Sequence, residues 1–177
     1  MLAERYAAEI EALLAQYPDK RSSVLPVMYL AQEAYGYLSQ EAMRDVAEAL
    51  DLPLTHILSL AGFYSLFYEE PVGRYVLEFC TDLPCALRGA EELLELAGRK
   101  LGAGPGETTA DGLFSLKMVM CLAACDKAPA MQCNLRYEEN VDEAKLDALI
   151  ARLRQEAAEE RPRYFGVETL KAALLAK

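Results

Sequence analysis

The chain has few of the features by which a protein crosses a membrane, leaves a cell or binds nucleic acid. No apolar run among its 177 residues approaches the roughly 20 that a helix needs to span a bilayer. Charged residues follow Met1 closely, from Glu4 to Glu11, where an export signal would have a basic segment and an apolar stretch. We therefore expect a reducing compartment, which disfavours disulfides. The net charge of −10 leaves no concentrated basic face for phosphate groups and argues against a nucleic-acid partner.

Motifs for catalysis on a substrate are also missing. The sequence has no Gly-x-Gly-x-x-Gly loop for a dinucleotide, and its glycine-rich segment 102–106 has no lysine that would make it a phosphate-binding loop. For the single histidine, His56, we predict a polar role at the start of a helix rather than metal binding or general-base catalysis. No Cys-x-x-Cys tetrad is present for a thioredoxin-type redox centre. These absences favour a chain that performs no bond chemistry on a substrate by itself.

Residues 1–70 show the periodicity of helices throughout. Apolar residues recur every three or four positions from Leu2 to Tyr17, which predicts one helix that Pro18 ends. Capping and turn residues then predict three more helices: Ser22 or Ser23 to Gly36, Ser39 to Asp51, and Thr55 to Tyr64. Short helices in this order predict a small bundle. Four aromatic residues near its end are interpreted as core or a domain seam and, secondarily, as a docking patch. They are Phe63, Tyr64, Phe67 and Tyr68.

Around Pro71 the pattern changes to strands alternating with helices. Arg74 to Phe79 alternates with a period of two, as does Phe114 to Met120, and each run predicts a strand that leads to cysteines. The other predicted elements are a helix over 86–101, a loop over 102–112, a strand over 131–133 and a helix over 143–154. This order predicts an α+β fold in three parts: a helical bundle at 1–70, a thioredoxin-like α/β domain at 71–155, and a tail at 156–177.

The C-terminal segment differs from the rest in charge. Basic side chains outnumber acidic ones over residues 152–177, whereas the remainder of the chain is acidic. The arginines concerned are Arg152, Arg154, Arg161 and Arg163. They suit either a helix C-terminus, where cations meet the negative end of the helix dipole, or an acidic partner, and we favour the first interpretation. A short helix is predicted over Val167 to Leu175, which would dock on a partner subunit or on its own domain.

Four of the five cysteines stand in two close pairs, Cys80-x4-Cys85 and Cys121-x3-Cys125. Each pair follows a predicted strand, so a twisted sheet could bring both to one edge. Thiolates bind soft metals and iron–sulfur clusters, and four convergent thiolates fill the terminal positions of one [2Fe–2S] cluster. The spacing favours such a cluster.

Other interpretations of the thiols stay open at this point. Structural zinc usually takes pairs with two-residue gaps, and neither gap has that length. Unligated or redox thiols are a further alternative. Cys133 stands apart in a predicted strand, where a lone cysteine is most often a small buried apolar residue and less often a fifth ligand or redox group.

The sequence around these pairs resembles a known family, the NuoE-type subunit of NADH:quinone oxidoreductase, respiratory complex I. The resemblance covers about residues 20–155. It rests on residues 104–115, 121–125 and 128–129, on Pro71-Val72-Gly73, Cys80-x4-Cys85 and Gly89-Ala90, and on Gln32-Glu33, Gly36 and Phe63-Tyr64. It implies a helical N-terminal part, a thioredoxin-like C-terminal domain, and one [2Fe–2S] cluster whose metal ligands are Cys80, Cys85, Cys121 and Cys125.

The same resemblance implies partners. The cluster would lie near a flavin, FMN, that is held by an NADH-oxidising subunit and not by this chain. Other subunits of the peripheral arm would attach the protein to the inner face of the cell membrane from the cytoplasm, without direct insertion. The alternatives are the same module in a soluble NAD-linked hydrogenase or formate dehydrogenase, and a cluster-free or zinc-bearing structural subunit.

Two positions in the second cysteine loop depart from the family pattern. The family usually has glycine where this chain has Ala123, and an acidic residue where it has Met120. Glycine adopts positive φ more readily than alanine, and a carboxylate beside a cluster would oppose its reduction. We expect both departures to affect the potential of the cluster rather than its ligation.

Overall fold

The computed structural model describes residues 2–159 of the chain. These residues form two compact units, one that ends at Pro71 and one that begins at Val72. The first consists of helices, and the second contains a four-stranded sheet with helices, which confirms the predicted α+β class. Within residues 2–159 no helix is both long and apolar enough to span a bilayer. Arg161, Arg163 and the helix predicted over Val167 to Leu175 lie outside the described residues.

Over residues 2–71, the first unit contains five α-helices rather than the four predicted. They are α1 (Leu2–Arg5), α2 (Ala7–Leu14), α3 (Val24–Tyr35), α4 (Gln40–Leu50) and α5 (Leu54–Phe63). The single helix predicted from Leu2 to Tyr17 is wrong, because the backbone leaves the helical region at Tyr6 (φ −126°, ψ 30°). Leu2, Tyr6 and Ile10 remain buried on both sides of this break. The apolar spacing therefore persists through the kink, and periodicity alone does not reveal it.

The helix ends show which capping predictions hold. Gly36 ends α3 in the left-handed conformation (φ 84°), and the Ser39 hydroxyl caps α4 by accepting the Ala42 N–H at 3.1 Å, both as predicted. Ser23 does not cap α3, because its hydroxyl donates to the Lys20 carbonyl at 2.6 Å. A 3-10 turn over Lys20–Ser23, capped by Asp19, precedes α3 instead.

The segment after α5 is held by a buried amide. The Gln32 side chain donates to the Leu66 carbonyl at 3.0 Å and accepts the Tyr68 N–H at 2.8 Å. Phe67 and Tyr68 are buried, as predicted for core residues, but Phe63 is 77% exposed. The core interpretation is therefore wrong for Phe63 and also for Tyr64, which is 39% exposed. Phe63 is the last residue of α5, and its ring packs edge-on against that of Tyr64, with 4.9 Å between the ring centroids.

The second unit is a mixed sheet of strand order β2-β1-β3-β4. The strands are β1 (Tyr75–Cys80), β2 (Phe114–Val119), β3 (Met131–Cys133) and β4 (Arg136–Glu138), and the helices are α6 (Leu83–Ala86), α7 (Ala90–Leu101) and α8 (Glu143–Ala158). Strands β1 and β2 are parallel, whereas β3 is antiparallel to both β1 and β4. Strand β4 is not predicted from the sequence, because this exposed edge strand of three residues shows no apolar alternation.

The core of this unit lies between one face of the sheet and the helices α7 and α8. Alternate residues of β1 and β2 point into it, as their period of two predicts. Its largest fully buried side chains are Phe79, Phe114, Leu77 and Leu116. The helices contribute a stripe of Leu93, Leu94, Ala97, Leu146, Leu149 and Leu153.

Two helices of this unit differ from the sequence prediction. The helix predicted over 86–101 is divided, because Gly89 has a left-handed φ of 85° and separates α6 from α7. Helix α8 continues to Ala158, beyond the predicted end. Arg152 and Arg154 therefore do not lie in its last turn, and the helix-end interpretation is wrong for both residues. The Arg152 guanidinium instead donates to the Glu138 carboxylate of β4 at 2.5 Å.

The turn between β3 and β4 also attaches this hairpin to β1. Asn134 and Leu135 both have positive φ (45° and 71°), as in the two-residue turns that match the twist of a hairpin. The buried Asn134 side chain accepts the Val76 N–H and donates to the Arg74 carbonyl, each at 2.8 Å. These bonds continue the attachment of the hairpin to β1 past the last paired residue of β3, Cys133.

The close approach of Gly73, just before β1, to the backbone of β2 gives the first prediction. The Gly73 N–H donates to Ser115 Oγ at 2.7 Å, and a Cβ at Gly73 would lie 2.7 Å from the carbonyl carbon of Phe114. Because this contact is with backbone, we expect Gly73→Ala to lower the free energy of unfolding by about 1–3 kcal/mol. Gly104→Ala is the control, since its Cβ would meet only the flexible Glu107 side chain, at 3.4 Å. Urea denaturation of the full chain measures both, and equal stability of the two variants would contradict a steric conflict at Gly73.

Candidate metal centre

The parallel pairing of β1 and β2 brings the two cysteine pairs to the same edge of the sheet. Cys80 is the last residue of β1 and is in register with Val119, the last residue of β2. The Thr81 N–H continues the pairing by donating to the Val119 carbonyl at 3.0 Å. Cys121 follows β2 by two residues, so both cysteine-bearing segments start from adjacent strand ends, as expected from the sequence.

The first pair is held by a capped turn of helix. The Asp82 side chain accepts the Leu83 N–H at 2.9 Å, and the Cys85 N–H donates to the Asp82 carbonyl at 2.9 Å. Cys85 therefore lies in α6 rather than on a loop, which corrects the expectation that both pairs are on loops. This turn places the Cys85 thiol beside that of Cys80, and both are buried. Small apolar residues surround them: Ala90, Ala128 and Ala130.

The second pair lies on a tight and more exposed loop. Cys121 and Cys125 are both exposed, and their side chains are in contact. Between them, Ala123 has a left-handed φ of 57°, and its N–H donates to Cys121 Sγ at 3.4 Å. Cys125 begins a 3-10 turn that ends at Lys127.

The two cysteine pairs lie near each other at this edge of the sheet. The Cys85 thiol is close enough to both Cys80 and Cys125 to influence its pKa, and Cys125 in turn contacts Cys121. The Cys80 thiol also donates to the Met120 carbonyl at 3.5 Å, across the two strands. Over residues 2–159, no three or more His, Cys, Asp and Glu side chains are grouped so as to hold a single metal ion.

Cys85 and Cys121 each have a pKa above that of an ordinary thiol. Burial raises the pKa of Cys85, and the neighbouring Cys80 and Cys125 raise it further, against the opposing backbone N–H of Ala130. The Ala123 N–H lowers the pKa of Cys121, but desolvation, the Asp82 side chain and Cys125 outweigh it, so the net shift is upward. Thiolate ligands must lose their protons, so binding of a metal group at these cysteines releases protons.

The fifth cysteine lies apart from this group. Cys133 is in β3 and belongs to the core between the sheet and the helices α7 and α8. Burial raises its pKa to about 12, which makes it a poor ligand and a poor nucleophile at neutral pH. The interpretation as a small buried apolar residue agrees with this position. His56, predicted near a helix start, is the third residue of α5, in the other unit.

Several residues around the thiols, apart from Met120, have no role predicted from the sequence. Large apolar side chains are exposed near both cysteine segments: Leu83, Leu87, Met118, Met120 and Tyr137. The Tyr137 hydroxyl, on the unpredicted strand β4, donates to the Leu122 carbonyl in the second cysteine loop at 2.7 Å. Asp82 combines the helix cap with a position beside Cys121. The only sequence signal for the capping role of Asp82 is its position directly before the helical turn Leu83–Ala86.

Four thiols at one edge of a thioredoxin-like sheet define a class of small redox proteins that hold a metal–sulfur group. The chain belongs to the family of thioredoxin-like [2Fe-2S] ferredoxins, which it matches over residues 10–154. This membership agrees with the donor set, because a [2Fe–2S] cluster takes four terminal thiolates. The backbone N–H groups of Ala123 and Ala130, which bond the sulfurs of Cys121 and Cys85, also suit the negative charge of such a cluster.

Named relatives agree with this family. The chain is 44% identical over 146 residues to an NADH-quinone oxidoreductase subunit of Rhizobium meliloti, a match that covers 82% of this chain and 87% of the relative. It is 39% identical to NADH-quinone oxidoreductase subunit 2 of Thermus thermophilus, covering 82% of each. A crystal structure of an NAD+-reducing [NiFe]-hydrogenase in the air-oxidized state is similar with a TM-score of 0.62 and 27% identity. That similarity covers 73% of this chain but only 23% of the hydrogenase chain.

The left-handed conformation of Ala123 generates the second prediction. An L-residue pays roughly 1–2 kcal/mol for this conformation, whereas glycine adopts it freely. We therefore expect Ala123→Gly to raise the free energy of unfolding by about 1 kcal/mol, since part of the gain is offset by the flexibility of glycine in the unfolded chain. Ala124→Gly is the matched control, because Ala124 has a negative φ of −113°. Its stability should stay equal or fall, and a similar gain in both variants would contradict the strain at Ala123.

Proposed function

We propose that this chain is an electron-transfer subunit of an NADH:quinone oxidoreductase, respiratory complex I, and carries one [2Fe–2S] cluster on Cys80, Cys85, Cys121 and Cys125. The observation that supports the proposal is the approach of the two cysteine pairs to each other at adjacent ends of β1 and β2. The names of the relatives specify the complex.

The protein's own residues would hold and tune the group. A [2Fe–2S] cluster supplies one-electron chemistry when bound. The capped turn of α6 and the 121–125 loop position the four sulfurs, and the alanine shell around Cys80 and Cys85 excludes water on the buried side. Backbone N–H donors to Cys85 and Cys121 stabilise negative charge on sulfur, whereas the Asp82 carboxylate opposes added charge near Cys121.

The exposed side of the site is suited to exchange electrons with a partner. Cys121 and Cys125 are accessible, and exposed apolar side chains such as Leu87, Met118 and Met120 lie on or beside the elements that carry the cysteines. An apolar surface beside the site would suit contact with a partner subunit. Because the sequence has no dinucleotide motif, the electron donor would be a partner subunit that oxidises NADH on a flavin. Attachment to the cytoplasmic face of the membrane would then be indirect, through other subunits of the complex.

A subunit of a soluble NAD-linked hydrogenase is the second candidate. It is supported by the similarity to the NAD+-reducing [NiFe]-hydrogenase structure. Identity is lower there, 27% against 44% for the Rhizobium meliloti relative, and we therefore favour complex I. The identity of the subunits that co-purify with the native chain decides between the two.

Cluster content is the third prediction. The anaerobically purified chain should contain about two irons and two acid-labile sulfides and give an EPR signal of a [2Fe–2S] cluster after reduction. Replacing Cys80, Cys85, Cys121 or Cys125 by serine should abolish or strongly perturb that signal. Cys133→Ser is the control and should leave it unchanged, since this thiol lies in the core away from the pairs. Stoichiometric zinc without sulfide, or loss of the cluster in Cys133→Ser, would refute the assignment.

Dependence on a flavoprotein is the fourth prediction. We expect NADH alone to leave the cluster of the isolated chain oxidised, and NADH together with the NADH-oxidising flavoprotein to reduce it. Absorbance and EPR spectra under anaerobic conditions follow the change, and dithionite verifies that the cluster is reducible in each sample. Rapid reduction by NADH without the flavoprotein would overturn the proposed electron relay.

A further inference from the structure

The second cysteine loop is attached to β4 through a single peptide group. Tyr137 Oη donates to the Leu122 carbonyl at 2.7 Å, and the next N–H along the chain, that of Ala123, donates to Cys121 Sγ at 3.4 Å. Leu122 C=O and Ala123 N–H belong to the same trans peptide, in which the two groups point in opposite directions. The phenol therefore bonds one end of a peptide dipole whose other end is directed at a sulfur of the site.

Two effects follow from this arrangement. The hydrogen bond to Leu122 fixes the rotation of the peptide plane and thereby directs the Ala123 N–H towards sulfur. Hydrogen bonds in series also polarise one another, so a donor on the carbonyl strengthens the N–H as a donor by about a tenth to a third. The side chain of the left-handed Ala123 is a methyl group and cannot support this strained conformation by a hydrogen bond of its own.

An N–H donor to a cluster sulfur affects the potential in a known direction. Reduction adds negative charge, part of which resides on the sulfur ligands, and a hydrogen bond to sulfur stabilises that charge. A stronger Ala123 N–H bond to Cys121 therefore favours the reduced state. Weakening it must shift the midpoint potential to more negative values.

We infer that Tyr137 is a positioning residue for the [2Fe–2S] cluster, which it tunes through the Leu122–Ala123 peptide and the N–H···S bond to Cys121. The inference deepens the proposed function and rests on the four-cysteine cluster. The Tyr137 hydroxyl bonds the Leu122 carbonyl rather than a sulfur. The residue is 46% exposed at the edge strand.

Tyr137→Phe tests the inference, because it removes the hydroxyl and keeps the ring. We expect unchanged iron and sulfide content, and a midpoint potential more negative by at least the equivalent of a twofold change in the equilibrium constant for reduction, about 18 mV for one electron. In the reduced protein, the hyperfine coupling of the Ala123 nitrogen should also decrease; pulsed EPR after ¹⁵N-alanine labelling detects it as the signal that is absent from the Ala123→Gly variant. Tyr17→Phe is the control, since it removes a phenol hydroxyl from a partly exposed tyrosine in the helical unit.

The outcomes separate this inference from the proposed function. Lower thermal stability or cluster content of Tyr137→Phe with an unchanged potential and nitrogen coupling would show a merely structural role and overturn the inference. If the unsubstituted chain binds no cluster, the proposed function fails. The effect of Tyr137 on the Leu122–Ala123 peptide can still be tested in the metal-free protein. There, the amide proton of Ala123 should shift upfield and exchange faster in Tyr137→Phe, and an unchanged amide would refute this effect.

Discussion

The site depends on one constraint, the parallel pairing of β1 with β2. Their register aligns Cys80 with Val119, so the chain leaves both strands at one edge and each exit carries a cysteine pair. The close approach at Gly73 anchors the other end of the same pairing through the Ser115 hydroxyl. A slip of one residue would turn Cys80 to the opposite face of the sheet, since side chains alternate along a strand. The two cysteine pairs would then no longer lie near each other.

The two cysteine pairs differ in their surroundings, and this asymmetry suits electron transfer. Cys80 and Cys85 are buried among alanines behind a capped helical turn, whereas Cys121 and Cys125 lie on an exposed loop. The first pair is enclosed by protein, and the second contains the backbone donor that reaches a sulfur. In the proposed function, the buried pair would hold the cluster away from water, and the exposed pair would give a partner access to it.

The small β3–β4 hairpin has a larger role than its length suggests. Asn134 attaches it to β1, the Arg152 guanidinium of α8 bonds Glu138 at its far edge, and Tyr137 connects it to the second cysteine loop. It thus joins the sheet, the last helix and the site. Its position explains how an edge strand, with few residues in the core, can influence the properties of the thiols.

The sequence by itself determined the class of the fold, the order of the main elements and the candidate ligands. Apolar periodicity, caps such as Ser39 and the cysteine spacing are local signals, and local backbone preferences express them directly. The break at Tyr6, the separate turn of α6 and strand β4 escaped prediction, because none changes the apolar spacing on which such predictions rest. Only the tertiary structure decided which thiols are buried, and which backbone and side-chain groups surround them. Those contacts join residues as distant in sequence as Cys80 and Met120, and their geometry follows from strand register and packing rather than from any local pattern.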